Sequence, residues 1–350
     1  MKPGCLGNLT QEQEQTLEEF KKNVAHFNLD PVRYDDHAFL RFLRARKFDV
    51  SKALDMFNKY MQWRQEFGTD HILEFSFPEV VEMRKFYPHG HHKTDKSGRP
   101  IYIERLGQLK IQDLFQITNE DRLLKYYVRE YERLMLAKFP ACSSGAGKHI
   151  ETSLTILDLS GISTKLMNKQ VYNFIKIASS VSQDYYPEIL GNMFIVNAPS
   201  LFTMVWSTVK GFIDPQTRSK IGIYNKNYSE ELFKLADPES IPEFLGGKCN
   251  CPRGCLNQNI GPWNPKGKPV DETGAVIPSS SEESEEEVPP QIIMESEEEH
   301  SEEKPEHPLP ALKDSDKKAL LETLELKELW ETQKKTQLES LFQVYKVDKS

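Results

Sequence analysis

An α/β domain with a mainly parallel sheet is the fold this sequence of 350 residues predicts, with a helical region before it and an acidic tail after it. Three patterns carry the prediction. Over residues 1–78, apolar side chains recur at the helical period. Over residues 79–265, short β-rich runs alternate with long helical stretches, as strands joined by crossover helices do. Residues 266–311 give way to an acidic low-complexity run, and residues 312–347 regain the character of one isolated helix.

In "DDHAFLRFLRARKF", Asp35 or Asp36 can cap a helix whose Phe39, Leu40 and Leu43 share a face. Asp49 can cap the next, where Val50, Ala53, Leu54, Phe57, Tyr60 and Met61 form one apolar face. The predicted strands are "IYIERL" (101–106), "SLTILDL" (153–159), "MFIV" (193–196) and "IGIY" (221–224). Thr118 with Asp121 has the spacing of a capping box and opens a helix to about Phe139; another helix is expected from about Lys165 to Gln183. After Gly246-Gly247 the chain is rich in Cys, Gly and Pro. From Ser279 to Pro310 the like charges outnumber the apolar groups so heavily that burial cannot offset the entropy of ordering. Leu320, Leu321, Leu324, Leu338, Leu341, Phe342 and Tyr345 supply the last helical stretch, and the polar "ETQKKTQ" within it argues against a coiled coil.

Charge is distributed unevenly. Residues 271–350 carry 22 acidic and 9 basic side chains, net −13, leaving 36 Lys/Arg against 31 Asp/Glu before them, net +5. So mild a basic excess suits an anionic membrane surface and is far too small for nucleic acid. "MKPGCLGN" leads into polar sequence rather than a secretory apolar segment, "VDKS" is no prenylation box, and five cysteines are an odd number; a cytoplasmic protein is expected.

The stretch "MFIVNAPSLFTMVWSTVKGF" (193–212) is nearly as apolar as a membrane span, yet Asn197, Pro199 and Lys210 interrupt it. Pro199 disfavours helix in its predecessor, so the stretch divides into a strand and a helix over 200–212. On a wheel of about 100° per residue, Leu201, Phe202, Met204, Val205, Trp206, Val209 and Phe212 cover about 200°, against roughly 100° for an ordinary surface helix. Pattern alone fits two readings: a helix buried on two sides, or one with a face on an apolar cavity and a face offered to lipid.

Catalytic motifs are not found. No G-x-S-x-G elbow occurs, no G-x-G-x-x-G follows a strand, and "SSGAGKH" has Cys142 where a phosphate loop needs its first glycine and His149 where it needs Ser or Thr. "HGHHK" gathers His89, His91 and His92 without a carboxylate or thiol partner in register, so no metal set is assigned. Cys249, Cys251 and Cys255 in "KCNCPRGC" could hold zinc only with a fourth ligand from elsewhere, and by default form a loop of free thiols. Arg41, Arg44, Arg46 and Lys47 form by default a solvated basic face. A binding protein rather than an enzyme is expected.

In order along the chain, "DDHAFLRFLRARKFDVSKALDMFNKYMQWR", "HKTDKSGRPIYIERLG", "TILDLSGIS", "SQDYYPEILGNMFIVNAP", "FIDPQTRSKI" and "FLGGKC" followed by "IGPW" closely resemble the CRAL-TRIO lipid-binding family. Within it the resemblance is to the Sec-fourteen class of phosphatidylinositol/phosphatidylcholine transfer proteins, over about residues 10–265. It implies an N-terminal helical part and an α/β domain enclosing one phospholipid, with no cofactor and no metal. The family's mobile gate helix matches residues 200–212, with Leu201, Phe202, Val205, Trp206, Val209 and Phe212 as its apolar face, which favours the second reading above. The phosphatidylinositol headgroup residues carry over as Arg46 in "LRARKFD", Glu188 in "YYPE", and Thr217 and Lys220 in "DPQTRSK". The phosphatidylcholine residues carry over as Tyr102, Ser153 and Thr155, while His91 stands where the family has a second tyrosine, which implies weakened phosphatidylcholine binding or a different second lipid. The resemblance further implies a monomer that visits Golgi or endosomal membranes transiently and presents phosphatidylinositol to phosphoinositide kinases. The alternative is a carrier or sensor of another lipid, such as a sterol, tocopherol or phosphatidylserine, or a trafficking adaptor.

Overall fold

The computed structural model describes residues 3–162, 169–199, 202, 206, 210 and 215–268. The predicted acidic run, the helix over 312–347 and most of the segment 200–212 lie outside the described residues. No described helix is long and apolar enough to cross a membrane.

Three helices begin the fold, each started by a side-chain cap. Thr10 and Gln13 form a reciprocal capping box for α1 (Gln11–Val24). Asp35 accepts from Ala38 N at 2.8 Å for α2 (Asp36–Ala45), and Asp49 from Lys52 N at 3.1 Å for α3 (Val50–Phe67). Their apolar faces meet around Phe57, which takes the rings of Phe20, Phe39 and Phe42 edge-on at 5.0–6.0 Å.

After α4 (Val80–Phe86) comes one five-stranded sheet in the order β1-β2-β3-β4-β5: His89–Thr94, Pro100–Glu104, Ser153–Asp158, Leu190–Val196 and Ile221–Ile223. The first pair is antiparallel and the other three are parallel. β1 was not predicted, because "HGHHKT" has a single β-branched residue, Thr94, and none of the apolar alternation that marks a strand. Its Gly90 is required by close approach, since a Cβ there would meet the Leu256 carbonyl oxygen at 2.7 Å.

Between β2 and β3 run α5 (Ile111–Ile117), α6 (Glu120–Arg133) and α7 (Phe139–Ala146). The cap of α6 is Asn119, which accepts from Arg122 N at 2.9 Å, one residue beyond the predicted Thr118; the Thr118 hydroxyl turns to Glu79 instead. Nor does the helix end at Phe139. A π-turn over Leu134–Lys138 carries it into α7, which has Pro140 in its first turn. α8 (Lys169–Tyr185) joins β3 to β4.

Crossovers between parallel strands are right-handed as a rule, and with strands in sequential order one hand puts every crossover on the same face of the sheet. The opposite face must then be covered by other chain. Ile101, Ile103, Leu154, Ile156, Phe194 and Val196 project there and pack on C-terminal residues, among them Tyr228, Leu232, Ile241, Leu245 and Leu256.

The N-terminal helices are tied to this domain by two charge clusters. Arg41 and Arg44, expected on a solvated face, converge on buried Glu151, with Arg44 Nη2 at 2.7 Å and Arg41 Nη1 at 4.0 Å, and His149 Nε2 lies 3.6 Å away. Burial alone would push the Glu151 carboxyl up; the hydrogen bond from His149, then Arg44 and Arg41, outweigh it and bring it from the usual 4.5 down to about 2. Because the folded value is the lower one, this contribution to stability is complete above pH about 4.5 and is lost as pH falls toward about 2. Over that window the wild-type unfolding free energy should fall by on the order of 2–4 kcal/mol more than that of Glu151→Gln, measured by urea unfolding. In the second cluster, Glu132 accepts from Arg64 at 2.8 Å, Arg33 at 2.6 Å and the Tyr186 hydroxyl at 2.7 Å.

Candidate functional site

The crossover side of the sheet differs from the packed side. Strand pairing lines up His91, Tyr102, Thr155, Met193 and Ile221 in one row across all five strands. In-register neighbours share a face, so this row projects opposite to the buried Ile101 and Ile156. Tyr102, Leu157, Met193, Ile221 and Ile223 on this face are only half-buried. A parallel sheet packed on both faces would bury such residues. The face is therefore a partly uncovered apolar floor with polar groups at its β1–β3 end.

Those polar groups are organised. The His91 and Tyr102 rings lie 4.9 Å apart, and the Trp263 ring is 6.0 Å from His91. Tyr102 donates its hydroxyl to Glu104 Oε1 at 2.8 Å. Burial, with Glu104 and Tyr87 adding to it, raises the Tyr102 phenol well above its ordinary range, and burial also raises the Glu104 carboxyl. His91 is held well below the usual histidine range, first by burial and then by Lys138, so its ring is neutral. That removes the charge repulsion a protonated histidine would offer a choline cation. Glu104 went unrecognised in the sequence, where it resembles a polar strand end; its carboxyl is buried beside Tyr102 and Tyr87. Ser153 begins β3 and donates to the Ile189 carbonyl at 3.4 Å.

A second group gathers at the amino ends of β4 and β5. Lys220 Nζ lies 3.4 Å from Glu188 Oε2, both largely buried. Thr217, in the short helix Pro215–Arg218, accepts the Lys220 N–H on its carbonyl at 3.0 Å, so its side chain and that of Lys220 are held by one turn. Glu188 follows Pro187 and has φ +62°, the conformation a type II turn reserves for its second central residue and usually gives to glycine. Arg46 caps the end of α2 just before two more left-handed residues, Lys47 and Phe48. Such conformations cost about 1–3 kcal/mol each and cluster where function requires them. Arg46 donates to the Ala45 carbonyl at 3.2 Å and forms no ion pair among the described residues, so the structure pairs Glu188 with Lys220 but does not link Arg46 to them. Of the predicted gate residues, Phe202 and Trp206 are half-buried, and Lys210 N bonds Trp206 O at 2.9 Å, a helical hydrogen bond. Leu201, Val205, Val209 and Phe212 lie outside the described residues.

"HGHHK" is not one metal set. Alternation along β1 sends His89 and His91 to the crossover face and His92 to the other. His89 is fully occupied, bonding the Tyr87 carbonyl at 2.7 Å and the Tyr126 hydroxyl at 2.9 Å.

Two family models match the chain: the CRAL/TRIO domain over residues 83–247 and the CRAL/TRIO N-terminal domain over residues 7–59. The chain belongs to the CRAL/TRIO family. Among its CRAL/TRIO relatives, the Sec14 cytosolic factor of Schizosaccharomyces pombe is 43% identical over 262 residues, 75% of this chain and 91% of that protein. Phosphatidylinositol/phosphatidylcholine transfer protein SFH12 of Arabidopsis thaliana is 45% identical over 260 residues, 73% of this chain and 48% of that protein. The chain thus spans about half the length of the first plant relatives it matches. The crystal structure of Sfh5 superposes with a TM-score of 0.56 at 20% identity, covering 75% of this chain and 95% of that one, which supports the CRAL/TRIO fold.

Proposed function

We propose that this chain binds phosphatidylinositol and a second phospholipid, one at a time, and carries them between membranes. The observation that supports it most is the half-buried apolar floor on the crossover side of the sheet, beside two separate polar clusters. A diacyl lipid carries some thirty CH₂ groups at about 0.8 kcal/mol each, so exposing its chains to water costs on the order of 25 kcal/mol. A protein that offers apolar surface in place of water removes most of that cost without making or breaking a bond. Lys220 meets the phosphodiester charge, Thr217 donates to it, Glu188 accepts from inositol hydroxyls and Arg46 completes the site. His91, Tyr102, Ser153 and Thr155 hold the second headgroup, with Glu104 facing its cation. Names of the relatives agree with this reading. Presentation of phosphatidylinositol to kinases, residence at Golgi or endosomal membranes and a monomeric state follow from it.

Native mass spectrometry of the purified protein should show one bound phospholipid per chain, and labelled phosphatidylinositol should move between vesicles in its presence. A chain that co-purifies with no phospholipid and moves none would overturn the proposal. His91→Tyr tests the second headgroup. A neutral histidine attracts a quaternary ammonium less than a tyrosine does, by about 0.5–1 kcal/mol, so the substitution should raise phosphatidylcholine transfer about two- to fivefold. Unchanged or lower transfer would remove His91 from that site.

A further inference from the structure

Four soft donors meet on the packed side of β1, away from the floor. His92 Nε2 lies 3.3 Å from Cys249 Sγ, and Cys249 Sγ lies 3.6 Å from Cys251 Sγ. With Cys255, one ligand atom from each of the four residues falls within 4.8 Å of all the others. Three of the four residues are buried and all the thiols are free. The separations decide what the cluster suits. A disulfide places its sulfurs about 2.05 Å apart, far closer than Cys249 and Cys251 stand. Tetrahedral zinc, with sulfur at about 2.3 Å and nitrogen at about 2.0 Å, sets its ligands about 3.5–3.8 Å from one another.

Backbone hydrogen bonds hold the strap that carries the thiols. Cys249 N bonds the Ile241 carbonyl at 3.0 Å and Cys249 O accepts from Glu243 N at 3.1 Å. A tight turn from Cys251 to Gly254, with Gly254 at φ +80°, then returns Cys255 to the cluster. His92 arrives from β1, 157 residues before Cys249. Three thiolates and a neutral imidazole around a divalent ion leave one net negative charge, and Lys93 and Lys248 adjoin the ligands in sequence to offset it.

We infer that His92, Cys249, Cys251 and Cys255 bind one zinc ion in a closed, structural site. Four protein ligands leave no position for substrate or water, so the ion acts as a clamp rather than a reagent. It joins the C-terminal strap to the edge strand that also carries His91.

The test is metal uptake by the full chain, purified under reducing conditions without chelator and supplied with zinc or cobalt. About one equivalent of zinc per chain is expected, and the cobalt form should show thiolate-to-metal charge transfer with tetrahedral d–d absorption. Cys251→Ser and Cys255→Ser should lose or shift that spectrum, while Cys142→Ser, outside the cluster, should keep it. Should the serine variants fail to fold, chelation of the wild type serves instead: its melting temperature should fall and recover when zinc is returned. A reduced wild-type chain that takes up neither metal, or a cobalt spectrum as strongly altered by Cys142→Ser as by the cluster variants, would overturn the inference.

Discussion

Lys220→Ala should abolish phosphatidylinositol transfer while leaving thermal unfolding close to that of the wild type. The lysine is paired only loosely with Glu188, at 3.4 Å, and each side chain retains just under a fifth of its exposure. Such a pair contributes little to folding, because its attraction barely repays partial desolvation. In the proposed site it gives its cation to a phosphodiester, where a charge-assisted hydrogen bond out of bulk water is strong. Truncating one partner of such a contact costs about 2–5 kcal/mol, a loss of roughly thirtyfold or more in affinity. Phosphatidylcholine transfer should change little, because the residues proposed for the second headgroup are others, around β1 to β3. Vesicle assays with each labelled lipid, beside a melting curve, separate the outcomes. Undiminished phosphatidylinositol transfer would refute the headgroup role. Equal loss of both lipids with a lowered melting temperature would make the pair a scaffold element.

Glu132→Ala should be the most destabilising single substitution among the clusters described. Its carboxylate is 2% exposed and serves Arg64, Arg33 and Tyr186 together. Removing it strands the Arg64 guanidinium, itself 1% exposed, without its buried counter-charge. Breaking a buried pair from one side costs about 3–5 kcal/mol, which for a folded region of this size is on the order of 10 °C in melting temperature. Glu132→Gln keeps acceptor and shape and should lose less. The same change should weaken phosphatidylinositol binding, because Tyr186 stands two residues before Glu188 in the turn that aims it. A drop in stability below about 1 kcal/mol would mean that solvent reaches the site and screens Arg64.

The sequence exposes what depends on near neighbours. Asp35 and Asp49 announce α2 and α3 because a cap acts over three residues, and β2 to β5 are visible because their runs are β-branched and apolar. The family motifs bring Glu188, Thr217 and Lys220 to notice for the same local reason. What depends on distant chain stays hidden. β1 owes its conformation to pairing with β2 and to burial under the C-terminal strap, and nothing in "HGHHKT" carries that information. Arg64 and Glu132 are 68 residues apart, and each looks like an ordinary charge on a helix surface. Arg41 and Arg44 look solvated until Glu151 is brought to them. Glu104 is concealed differently, since alternation turns it inward from a strand end where a carboxylate is commonplace.

Because the described residues that close the rear of the sheet come from Tyr224 to Leu256, the order of synthesis has consequences for the nascent polypeptide. Ile101, Ile103, Leu154 and Ile156 emerge from the ribosome long before Tyr228, Leu232, Ile241, Leu245 and Leu256 do. During that interval an oily, half-built strand layer waits unprotected, the kind of intermediate that chaperones capture and that self-associates otherwise. A premature stop codon between Ile156 and Leu256 should therefore yield an aggregating fragment rather than a shorter folded protein.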